Sequence, residues 1–121
     1  MSDDSAPAMS EAKTLAQMTA EVVENEHAKG WRPNDNQFGT SLALLHSEVS
    51  EALEAFRSWG FTEPAGGKPE GVASELADVL IRLLSTWDQF VAPHGFDLAQ
   101  EFEKKMAYNR TRTFRHGGKR V

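Results

Sequence analysis

The stretch from Val72 to Val91 constrains this chain most. Its apolar residues, Val72, Ala73, Leu76, Ala77, Val79, Leu80, Ile81, Leu83, Leu84, Trp87, Phe90 and Val91, recur at helical spacing and cover more than half of a helix circumference. A helix apolar over so wide an arc is central to its domain or buried in a subunit interface. Its polar residues Glu75, Asp78, Arg82, Ser85 and Gln89 are squeezed into one seam. That seam is expected to face an enclosed polar site rather than open solvent.

The segment before it reads the same way. From Phe38 to about Trp59, Phe38, Leu42, Leu45, Val49, Ala52, Leu53 and Phe56 form one apolar stripe. A narrower stripe holds Leu44, Glu48, Glu51 and Ala55, with the two carboxylates set between apolar neighbours. His46, Ser47, Ser50, Glu54, Arg57 and Ser58 fill the remaining arc, which is expected to face water. Gly60 to Glu70, with its prolines and glycines, connects the two helices.

Two more helices complete the chain. Ser10 is expected to cap one that starts near Glu11, buries Leu15, Met18, Val22 and Val23 on one side, and stops at Gly30. Residues 31–36 then form a loop. Ala92-Pro-His-Gly95 breaks the third helix, and Asp97 caps a fourth that runs to about Thr111 with Leu98, Phe102 and Met106 inward. Residues 1–9 read as a loose tail, not a signal peptide, because no basic region precedes an apolar run. Residues 114–121 read as a basic tail, leaving 10–113 as one helical domain. No strand alternation is present, so the expected fold is all-α, a four-helix bundle.

The chemistry lies in two carboxylate pairs, Glu48-x-x-Glu51 and Glu75-x-x-Asp78. Residues three apart share a helix face. If the two helices pack with these faces together, four oxygen donors converge. Ionised carboxylates so placed repel one another unless cations neutralise them or some take up protons. An all-oxygen ligand set suits magnesium, with manganese as a substitute, rather than zinc. A di-iron bundle needs two Glu-x-x-His motifs, and this chain offers one, at Glu24 and His27. On the fourth helix Lys105, Asn109 and Arg112 share a face with Tyr108 adjacent. They form either an ordinary cationic helix end or a phosphate contact beside a magnesium site.

Composition sets the outer limits. A formal net charge of -5 argues against nucleic acid as a partner. The absence of cysteine fits a reducing cytoplasm. No apolar run is long enough to span a membrane.

The carboxylate pairs, separated by residues 52–74, together with Lys105-Met-Ala-Tyr108-Asn109-Arg110-Thr-Arg112 and Arg115-His-Gly-Gly-Lys119, resemble the all-α nucleoside triphosphate pyrophosphohydrolases of the MazG-like superfamily. The resemblance covers about residues 15–119. It implies that Glu48, Glu51, Glu75 and Asp78 ligate magnesium, and that one of the glutamates also serves as base. It further implies that a nucleoside triphosphate is cut to monophosphate and pyrophosphate. Lys105 and Asn109 would contact substrate phosphate or sugar, with Tyr108 and Arg112 as further candidates. The chain would assemble as a homodimer or homotetramer. Where many members carry another acid directly before the first motif glutamate, this chain has Ser47. The competing expectation is a non-catalytic helical oligomerisation or adaptor module with solvated carboxylates.

Overall fold

The computed structural model describes residues 12–31 and 37–113. Among them the secondary structure is helical, with no strand: α1 spans Leu15–Ala28, α2 Phe38–Trp59, α3 Val72–Thr86 and α4 Leu98–Arg110. The chain is all-α. No helix among the described residues is long and apolar enough to cross a membrane.

The boundaries follow local chemistry. α1 begins at Leu15, later than the expected start beside Ser10, which lies outside the described residues. Thr14 is the cap. Its hydroxyl accepts from the Gln17 backbone N–H at 3.1 Å, and the Gln17 side chain accepts from the Thr14 N–H at 2.8 Å. This reciprocal pair satisfies two N–H groups that the helix leaves open. α2 has the expected limits, and ends at Gly60, whose φ of 61° suits a residue without Cβ.

α3 departs from an unbroken helix to Val91. Its α-helical part ends at Thr86. A π-helical turn follows over Trp87–Val91, then a short 3-10 turn over Ala92–His94. The Ala92 N–H reaches back to the Trp87 carbonyl. Pro93 cannot donate to the Gln89 carbonyl, and its ring crowds that position, so the regular ladder fails one turn upstream. Asp97 caps α4 as expected, its carboxylate accepting from the Gln100 N–H at 3.0 Å.

α2 lies along α3, and this antiparallel pair is the main packing of the chain, with α1 resting on α3. The side of α2 turned toward α3 falls between the two stripes, taking Ala52 from the broad one and Ala55 from the narrow one. Ala55 is 4 % exposed, whereas Val49 on the broad stripe is 51 % exposed. Small side chains at Ser41, Ala52 and Ala55 let the helices approach closely. Leu42, Leu53 and Phe56 are open beside Val49, as are Leu76 and Leu80 on α3.

At 100° per residue these open residues of the two helices fall on the same side of the pair. The opposite side carries Glu51, Asp78 and Ile81. The pair therefore has an apolar side and an acid side. Buried apolar residues among those described are few: Ala52, Ala55 and Leu84.

Candidate metal centre

The acid side is built by helix phase. Glu48 and Glu51 are one turn apart on α2, and Glu75 sits in the first turn of α3. Antiparallel packing brings them together. One carboxylate oxygen from each of Glu48, Glu51 and Glu75 lies within 4.8 Å of the others. Asp78, the fourth expected ligand, is not part of this three-residue cluster. It stands beside it, lining the same groove of about 450 Å³.

The electrostatics are unfavourable for an empty site. Burial raises the pKa of Glu75, and the charges of Glu51, Asp78, Glu48 and Glu70 push it further up. Glu75 Oε1 is buried and has no hydrogen-bond partner. A buried carboxylate oxygen without a donor is costly. A hard cation supplies what this oxygen lacks, and the donors present are all carboxylate oxygens. The residues could hold a metal ion on both grounds.

Two residues at the site carried no role in the sequence reading. Glu70, from the connector, lines the groove and adds to the field on Glu75. It pairs with Lys68 at 3.3 Å. Loop residues carry no periodicity, so no sequence signal pointed to them. The connector is tied down by Glu63, whose Oε2 accepts from the N–H groups of Glu70 and Gly71 at 2.9 and 3.0 Å. Those donors sit at the start of α3, so the Glu63 carboxylate does the work of a side-chain cap.

Arg82 could have been found from spacing. It follows Asp78 by four residues and shares its helix face. Its Nη2 donates to Glu48 Oε2 at 3.1 Å.

The remaining expected residues lie elsewhere. Lys105 and Tyr108 line a separate groove with Trp87 and Phe102. The Lys105 ammonium and the Arg112 guanidinium stand 5.8 and 5.9 Å from the Tyr108 ring centre. Asn109 is exposed on α4. Within one chain none of these four lines either groove at the carboxylates. Glu24 and His27 line a third groove, between α1 and the start of α4. Ser47 is exposed, and its hydroxyl donates to the Leu44 carbonyl at 2.8 Å. Arg115 and Lys119 lie outside the described residues.

No known protein family, curated protein or solved structure matches the chain.

Proposed function

We propose that the chain is a magnesium-dependent nucleoside triphosphate pyrophosphohydrolase of the MazG-like kind, with manganese as a substitute ion. It would work as a homodimer or homotetramer in the cytoplasm. One observation carries the reading: three carboxylates from two helices converge on one point, and one of their oxygens is buried without a donor. A solvated acidic face would leave that oxygen in water.

Glu48, Glu51 and Glu75 hold the cation, and Asp78 extends the site along the groove. A bound divalent ion supplies charge neutralisation for a triphosphate and polarises the phosphoryl group under attack. This allows a chain of net charge -5 to accept a polyanion. Water attacks the α-phosphorus. A new P–O bond forms there as the α–β anhydride bond breaks, and a cluster carboxylate takes the water's proton. The products are nucleoside monophosphate and pyrophosphate.

The apolar side of the α2–α3 pair supports self-association. Two such sides laid face to face give a four-helix bundle with a two-fold axis. Lys105, Tyr108, Asn109 and Arg112 would then reach substrate phosphate or sugar from another copy.

The test is product analysis over a panel of ribo- and deoxyribonucleoside triphosphates with magnesium, for wild type and Asp78→Asn. Monophosphate with pyrophosphate, lost in the variant, is the expected result. Diphosphate with orthophosphate would place the cut at another bond. No turnover of any nucleotide would leave a helical oligomerisation module as the reading.

A further inference from the structure

The geometry points to Arg82 as an internal counter-ion that the divalent cation displaces from Glu48, the freed guanidinium then becoming the cationic contact for the anionic substrate in the adjoining groove. This inference rests on the metal-site reading above and adds the coupling between cation and substrate.

Among the described residues Arg82 is the basic side chain that pairs with the cluster, reaching Glu48 from the facing helix. The Glu48 side chain is 14 % exposed and that of Arg82 is 37 % exposed. The acid end of the pair is therefore the enclosed one, and the guanidinium stands at the rim. The oxygen it holds, Glu48 Oε2, belongs to a carboxylate of the cluster. A divalent ion binding there meets a positive charge already in place. The two cations compete for one carboxylate, and the divalent one is favoured because it also gains Glu51 and Glu75.

Arg82 has a place to go. Glu48 and Asp78 line both the metal groove and a second groove of about 500 Å³. That second groove also carries Glu26, Trp31, Ser41, Ser85 and Gln89, and among the described residues lining it Arg82 is the single basic one, set against the carboxylates of Glu26, Glu48 and Asp78. Arg82 already lines this groove beside Glu48, so its release from Glu48 leaves the guanidinium there with α3 in place. A planar fork of donors suits a phosphate or sugar oxygen. An ion pair that only joins α2 to α3 has no such consequence, because its loss would disorder the cluster and weaken cation binding.

The experiment is calorimetric titration of manganese into the nucleotide-free protein, wild type against Arg82→Gln, with steady-state kinetics on both. Expected are roughly three- to tenfold tighter manganese binding in the variant and a KM for nucleotide about tenfold higher with kcat changed far less. Equal or weaker manganese binding in the variant, or an unchanged KM, overturns the inference. Manganese binding by neither protein removes the metal-site reading itself, and this inference with it. Should Arg82→Gln fail to fold, the Arg82 Nε–H resonance of wild type is followed through a magnesium titration. A shift that saturates with the cation supports displacement, and an unmoved resonance overturns it.

Discussion

The rings of Phe38 and Phe90 meet with centroids 5.5 Å apart and planes tilted by 47°. One opens α2 and the other sits in the π-helical turn after α3. This contact closes the end of the helix pair away from the connector. It helps set the register that places Glu48 against Arg82 and Glu51 near Glu75.

Phe90→Ala therefore acts at a distance. Loss of a half-buried ring costs about 2 kcal/mol, below the range for a fully buried phenylalanine. Urea unfolding should show the loss, and magnesium should raise the melting temperature of the variant less than that of wild type.

Glu75→Gln should stabilise the cation-free protein. The folded chain holds the Glu75 proton more tightly than the unfolded chain does, because burial and neighbouring charges raise its pKa above 4.5. Between that ordinary value and the raised one the folded form binds more protons, so stability falls as pH rises through the window. The penalty is absent below the window and complete above it. In chelator, Glu75→Gln should melt higher than wild type at pH 7 and show a flatter dependence on pH above the carboxylate range. It should also lose the stabilisation that magnesium gives wild type.

Glu63→Ala removes the carboxylate that holds the Glu70 and Gly71 N–H groups. Charge-assisted bonds of this kind contribute roughly 1.5–3 kcal/mol each at most, less where water competes. A loss of about 1–2 kcal/mol in chemical unfolding is expected. Amide exchange should quicken across the connector and the first turn of α3. Gly71→Ala should do similar damage, since a Cβ there would meet the Glu63 carboxylate.

Leu53→Asp puts a charge in the middle of the apolar side. The expected outcome in light scattering is conversion of a larger assembly to a species of 13.4 kDa. Ser50→Asp, toward the solvent arc of the same helix, should leave the assembly intact. An unchanged mass for Leu53→Asp would place the subunit contact elsewhere.

The helices themselves were legible because hydrophobic period and breakers agree. Phe38, Trp59 and Asp97 stand where spacing and capping chemistry put them. The facing of α2 was not legible. Both of its stripes were read from spacing, yet the arc that meets α3 lies between them, at Ser41, Ala52 and Ala55. Helical phase identifies stripes, and it does not say which arc a neighbour takes. The start of α1 was misplaced because Ser10 and Thr14 are both fair caps, and Gln17 decides between them by answering Thr14. The π-helical turn depends on how Pro93 disturbs bonds behind it, which residue pattern does not register. Spacing paired Glu48 with Glu51 and Glu75 with Asp78, and the packing of α2 on α3 is what brings Glu75 to the first pair. Glu70 entered through a loop, whereas Arg82 already stood in the polar seam of α3 and only its partner, Glu48, 34 residues away, was missing. Lys105 and Tyr108 fitted a motif, yet within the chain they sit on another groove.

The inward turn of the carboxylates has a consequence for the lifetime of the molecule. A chain that crowds mutually repelling acids on one side of a helix pair, with few buried apolar residues among those described to offset them, would open more often when no ion is bound. Proteases cleave open forms. Ion supply would then govern abundance as well as turnover, because binding draws the population toward the closed form. Chelation would shorten the half-life of this protein in a proteolytic mixture well before it had any effect on one whose acids face outward.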